Sequence, residues 1–164
     1  MTATSLAPAR QIMLMSVHPV HIANMRAGAK TVELRRTRPA VPDGQPVIFY
    51  STIPQAALVA ACRIVQVSVA TPADLWPRVS AQAAIDRSRY DTYFHGAEAA
   101  VALHLADFIW LTDPIPLAAL RSRRGFHPPQ TWHFLDRTHL AMLIGDHPDA
   151  AAILALLPDS VTDR

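Results

Sequence analysis

Gly28-Ala29-Lys30-Thr31-Val32-Glu33-Leu34-Arg35-Arg36 is the densest polar motif of the chain, and it holds the only lysine. Everywhere else positive charge is supplied by fourteen arginines. Arginine is a wide, permanently charged fork, whereas lysine is a compact charge whose pKa can be tuned by burial. A site that needs a slender donor, or a neutral amine, selects that difference; a solvated turn after a helix accepts either residue. Glutamate is nearly as scarce. Only Glu33 and Glu98 occur, and Glu33 lies three residues from Lys30. From Thr31 to Arg36 the pattern alternates, with Val32 and Leu34 on one side and Thr31, Glu33 and Arg35 on the other. That is the period of a half-buried strand whose polar face carries the charged groups.

Working outward, Ile12 to Val17 is a short apolar run ending at His18-Pro19, a strand followed by a helix with proline in its first turn. Val20, Ile22, Ala23 and Met25 give that helix an apolar face, and Gly28 is placed to end it in a left-handed cap. Residues 36–46 hold three prolines and an Asp-Gly pair and read as a loop. Val47 to Ser51 is a strand, and Ala57 to Val69 is one long or bulged strand. Thr71-Pro72-Ala73-Asp74 is a capped helix start. Ser80 to Tyr93 reads as a further helix, Ala99 to Leu111 as a strand, Leu117 to Leu120 as a helical turn, Thr131 to Leu135 as a last strand, and Asp149 to Leu157 as a terminal helix. Strands dominate the centre with helices between them, which suits a small α+β barrel.

Half of the 164 residues are apolar and only 17% are charged, the composition of one packed domain and not of a disordered chain. The alanine excess and arginine bias fit a GC-rich bacterial genome. The net charge of +2 is too small to argue for a nucleic-acid partner. Its distribution says more, because residues 1–60 carry six basic and two acidic side chains. Arg35, Arg36 and Arg38 form one basic group and Arg121, Arg123 and Arg124 another; brought together, they would make a basic face. Cys62 stands alone in an apolar run and reads as a buried thiol. No charged N-terminus precedes a long apolar stretch, and the most apolar segment, Val101 to Leu120, is broken by His104, Asp107, Asp113, Pro114 and Pro116. Neither a secretory leader nor a membrane span is expected, and the expected location is cytoplasmic. His18 and His21 are three apart on a helix, a spacing that metal ligands use, but no third ligand is evident, so neither a metal nor a cofactor is expected.

Several blocks, in order, resemble the ASCH domain family of the PUA-like superfold: Met15-Ser16-Val17-His18-Pro19, then the Gly-x-Lys-Thr-x-Glu-x-Arg block from Gly28 to Arg35, Val47-Ile48-Phe49-Tyr50-Ser51-Thr52, Tyr93-Phe94-His95-Gly96-Ala97, Pro114-Ile115-Pro116-Leu117 and Pro128-Pro129-Gln130-Thr131-Trp132. The resemblance covers about residues 12–136. It divides the chain into a tail at 1–11, the domain at 12–136, and a C-terminal helical extension at 137–164 packed on the same domain. It implies an α+β, PUA-like barrel of about six strands with flanking helices, a cleft beside Lys30, and RNA or nucleotide-like ligands. Some ASCH-like proteins are amidohydrolases on acylated cytidine, with a nucleophilic threonine three residues after the lysine; here that position is Glu33. Others are ribonucleases.

The residues suit such ligands on chemical grounds too. Lys30 is a compact phosphate or carbonyl donor, Arg35 can grip a phosphate with two N–H groups, and the Glu33 carboxylate can accept from an exocyclic amino group. Tyr50, Phe126 and Trp132 could stack on bases. The expected ligand-contacting set is Lys30, Thr31, Glu33, Arg35, Arg36, Arg38, Tyr50, Ser51, Gln130 and Trp132, with Ser16 as a polar wall. If the protein is an enzyme, it is a metal-independent hydrolase with Lys30, Glu33 and Tyr50 as catalytic groups and His18 as a further proton-transfer candidate. The expected partner is RNA, single-stranded, or a nucleotide. The blander alternative is an ion pair of Glu33 with Lys30 or Arg35 that decorates a barrel rim.

Overall fold

The computed structural model describes residues 9–123 and 125–159. The N-terminal residues 1–8, Arg124 and residues 160–164 lie outside the described set, so most of the expected tail is not assessed. The elements in order are β1 (Gln11–Val17), α1 (Pro19–Arg26), β2 (Val32–Arg35), β3 (Gln45–Ser51), β4 (Ala57–Ala70), α2 (Pro72–Val79), α3 (Arg87–Tyr93), β5 (Ala100–Pro116), α4 (Leu117–Arg121), β6 (Trp132–Asp136), α5 (Arg137–Ile144) and α6 (Ala150–Leu154). This is an α+β fold. Among the described residues no helix is long and apolar enough to cross a membrane.

The six strands form one mixed sheet in the order β2-β5-β4-β3-β1-β6. β1 runs parallel to β3, and every other neighbour is antiparallel. The β4–β5 ladder slips register at three places, and Asp107 on β5 has φ +59°. Such bulges bend and twist the strands that carry them. The sheet curls until β2 at one end faces β1 near the other. The gap is bridged by a side chain and not by a backbone ladder: Arg35 Nη2 donates to the carbonyl of Ser16 at 3.1 Å. The barrel-like shape thus has a seam between β2 and β1.

Alternation sorts the strand residues into two apolar layers. Met13, Met15, Phe49, Cys62 and Leu103 gather on one face under Ile22 and Met25 of α1. Ile12, Leu14, Ile48, Tyr50 and Leu58 gather on the other under Leu140, Leu143 and Ile144 of α5 and Ile153 of α6. Arg63 and Arg137 tie the last turn down by donating to the carbonyls of Leu156 and Leu154 at 3.2 and 2.9 Å. A third cluster packs Val32 and Leu34 against Leu75 and Val79 of α2, Tyr90 of α3 and Phe94 at the end of α3.

Three sequence expectations change. The helix read from Ser80 to Tyr93 is confined to α3, because Asp86 caps it by accepting from the Arg89 N–H at 2.7 Å and Ala84 before it sits at φ +50°. The terminal helix is shorter than Asp149–Leu157 and is preceded by α5, which Asp136 caps through the His139 N–H. β2 is not half-buried. Its polar face is covered as well, so Glu33 keeps only 6% of its surface.

Candidate functional site

Lys30 reaches its place through the end of α1. Gly28 adopts φ +78°, and a Cβ there would meet nothing within 4 Å, so glycine answers to the backbone angle and not to space. The chain reverses over it, the N–H groups of Ala29 and Lys30 both donate to the Asn24 carbonyl, and Lys30 enters β2 almost at once. Its side chain is 3% exposed. Nζ donates to the Ala83 carbonyl at 3.0 Å and lies 3.4 Å from Glu33 Oε2. Glu33 Oε1 lies 3.3 Å from Arg35 Nη2, the same nitrogen that reaches across the seam to Ser16. A lysine–carboxylate–arginine row therefore lines one wall, held on one strand by its alternation.

The opposite wall comes from β1, the start of α1 and the loop before β6. Ser16 Oγ donates to the Pro129 carbonyl at 2.6 Å. His18 Nδ1 lies 3.3 Å from Thr52 Oγ1, and the His18 and His21 rings are 6.4 Å apart. Tyr93 closes a third side, its hydroxyl donating to the Leu34 carbonyl at 3.2 Å. Between these walls is a cavity of about 450 Å³, and Gln130 lines it as well.

Burial sets the charge states. It lowers the Lys30 pKa from the usual ammonium value; Glu33 opposes the shift and Arg35 adds to it. Burial also lowers the His21 pKa, partly offset by Glu33 and reinforced by Lys30, His18 and Arg35, so His21 is neutral at pH 7. The Tyr93 hydroxyl is pushed up, chiefly by burial.

Among the described residues, four buried side-chain polar atoms make no hydrogen bond, and three of them belong to this cavity: Glu33 Oε2, Arg35 Nε and His21 Nδ1. Glu33 Oε2 is within ion-pair reach of Lys30 but carries no hydrogen bond. Buried polar groups are almost always satisfied, so three exceptions in one place call for a cause. The set comprises an N–H donor, a carboxylate acceptor and an imidazole nitrogen able to serve either way. Their complement is a ligand that presents both acceptors and donors.

The expected site residues divide accordingly. Lys30, Glu33, Arg35, Gln130, Ser16 and His18 meet at the cavity. Thr31 does not: it is exposed just before β2, its N–H spent on the Gln82 carbonyl. Tyr50 is 3% exposed on the opposite face of the sheet, its ring 5.8 Å from that of Phe126, and it does not line the cavity. Ser51 is fully buried with its hydroxyl unpartnered, and Trp132 packs on the apolar layer under α1. Arg36 donates to the carbonyls of Tyr93 and His95, and Arg38 is exposed outside the cavity. Of the second arginine group, Arg123 donates to the Leu143 carbonyl, and Arg124 lies outside the described residues. His21 and Tyr93 also line the cavity and were not in the expected ligand-contacting set. His21 was legible from its helical spacing to His18; Tyr93 opens one of the blocks that carry the ASCH resemblance, but no local pattern placed it beside Lys30. Among the described residues no three His, Cys, Asp or Glu side chains form a group suited to a metal ion.

The chain is 28% identical over 138 residues to an ASCH domain-containing ribonuclease of Zymomonas mobilis subsp. mobilis, a match covering 84% of this chain and 93% of that protein. It superposes on the crystal structure of ASCH from Zymomonas mobilis with a TM-score of 0.78 at 27% identity, covering 85% of this chain and 97% of that one. A Ser-to-Ala variant of the Zymomonas mobilis protein gives 0.76 at 28% identity, covering 85% and 98%. The ASCH domain model matches residues 15–109, more than half of the chain and the stretch that carries Ser16, His18, His21, the Lys30–Glu33–Arg35 row and Tyr93, so the chain belongs to the ASCH domain family.

Proposed function

We propose that this protein binds single-stranded RNA in the cavity beside Lys30 and cleaves it by general acid–base chemistry. The observation that carries the reading is the pair of buried, unpartnered nitrogens on Arg35 and His21, set beside a Glu33 carboxylate oxygen that has an ion pair but no hydrogen bond. A nucleotide supplies the matching groups: phosphate oxygens for the Arg35 N–H, an exocyclic amine or 2′-hydroxyl for the carboxylate, and a 2′-hydroxyl for the imidazole. The likeness to a protein named as a ribonuclease supports the same class of substrate.

His21, neutral because it is buried, is the base. It takes the 2′-hydroxyl proton, the 2′-oxygen bonds to the adjacent phosphorus, and the bond from phosphorus to the 5′-oxygen breaks. The departing oxygen takes a proton from the Lys30 ammonium, whose lowered pKa makes it a better acid than an exposed lysine. The products are a 2′,3′-cyclic phosphate and a 5′-hydroxyl. Arg35 carries the charge that builds on the phosphate, and Glu33 holds Lys30 and Arg35 apart and in line. A reader without turnover is the second reading. It is favoured by Glu33, which is held between Lys30 and Arg35 by two ion pairs as a fixture of the wall.

The test is cleavage of an end-labelled single-stranded RNA by purified protein with a chelator present. The cyclic phosphate should accumulate, and Lys30→Arg should lose about 10²-fold or more, because the fork overfills a slot shaped for one ammonium. Absence of cleavage with RNA binding retained would establish the reader, and equal cleavage by Lys30→Arg would remove Lys30 from the chemistry.

A further inference from the structure

We infer that Tyr93 is the platform on which a nucleobase of the bound strand stacks. This rests on the RNA-binding reading and adds to it the residue that recognises the base. Among the described residues Tyr93 is the one Phe, Tyr or Trp that lines the cavity. The aromatic residues expected in that role, Tyr50, Phe126 and Trp132, pack elsewhere. Tyr93 is 38% exposed although both its ends are fixed to β2 and its flank. Its hydroxyl donates to the Leu34 carbonyl at 3.2 Å, and its own carbonyl accepts from Arg36 Nη1 at 2.8 Å. Its ring meets Phe94 edge to face at 4.7 Å, which holds the plane from one side. A ring that is exposed and held at three points loses little freedom when a base covers it, and that is the property of a stacking platform. Arg35 and Glu33 line the same cavity, so a phosphate on Arg35 and a base on Tyr93 belong to one short segment of single strand. The hydroxyl is already spent on Leu34, so the ring selects aromatic bases as a class without reading one sequence.

The experiment is fluorescence binding of short single-stranded RNAs carrying 2-aminopurine at successive positions, run across a salt series. For the wild type, one position should be quenched on binding. Tyr93→Leu should abolish that quench and weaken binding about tenfold, with the salt slope unchanged because the phosphate contacts remain. Tyr93→Phe, which keeps the ring and gives up only the Leu34 bond, should restore the quench and lose no more than about threefold. If wild-type binding shows no salt dependence and no RNA affinity, the RNA reading itself falls and this inference with it. If the wild type binds but Tyr93→Leu matches it, or if Tyr93→Phe loses as much as Tyr93→Leu, the stacking role alone is overturned. Melting curves on both variants identify any loss that comes from unfolding, and the Phe variant then decides the matter.

Discussion

At the scale of single residues, Glu33 is the pivot. Its carboxylate faces Lys30 and Arg35 in a nearly closed space, and removing one member of a buried pair leaves an uncompensated charge. Glu33→Gln should therefore cost about 3 kcal/mol of stability, read as a lower denaturation midpoint, and weaken RNA binding by loosening both cations. If turnover alone fell, with stability and affinity intact, Glu33 would be a proton-transfer group instead. His21 makes a pH prediction. Its folded pKa is below 6.5, so near and below that value the unfolded chain binds the proton more readily, and stability rises with pH through this window. His104 and His133 shift the same way, also by burial. The melting temperature should climb from about pH 5 to pH 7, and His21→Gln should flatten part of that climb. The cleavage rate should fall on the acid side of the same window.

The site was legible where chemistry is local. Lys30, Glu33 and Arg35 stood out by scarcity and alternation, and one strand sets their geometry. Tyr50 does not line the cavity, and because all of β3 is buried, alternation could not say which face its side chain meets. Tyr93 and Pro129 arrive from segments far along the chain, and the curl of the sheet brings them in, which no local spacing records.

At the scale of elements, the long strands, the capped α2 and the glycine stop after α1 could be read because apolar runs, Thr71 and Gly28 act within a few residues. The C-terminal helices were harder to read. α5 has no first-turn acid and only a modest apolar stripe, and its helical state follows from the Asp136 cap and the layer it covers. That layer is structural, which permits a separation. Ile153 is fully buried on the sheet face away from the cavity. Ile153→Ala should cost about 3 kcal/mol in chemical denaturation yet leave RNA affinity unchanged under folding conditions. A parallel loss of affinity would mean that α6 supports the cavity directly.

For the whole molecule, the charge is modest and unevenly spread. RNA binding should therefore depend on salt through a few contacts only. Three phosphate contacts to a single strand correspond to a log–log slope of about −2, and Arg38→Ala should reduce it by about 0.7 if the exposed arginine guides the strand to the cavity mouth. A slope near zero would remove the electrostatic component.

The seam also bears on how the protein keeps to itself. β2 ends the sheet, and a bare strand edge invites pairing with another chain. Here that edge is occupied by the segment that builds the cavity: the Gln82 carbonyl accepts from the Thr31 and Val32 N–H groups, and the Tyr93 hydroxyl covers the Leu34 carbonyl. Tyr93, which lines the cavity, and Gln82, in the same stretch of chain, thus also guard the edge against self-addition. Drift that erased the proposed RNA binding would still be constrained to keep that segment, because losing it would bare the strand edge.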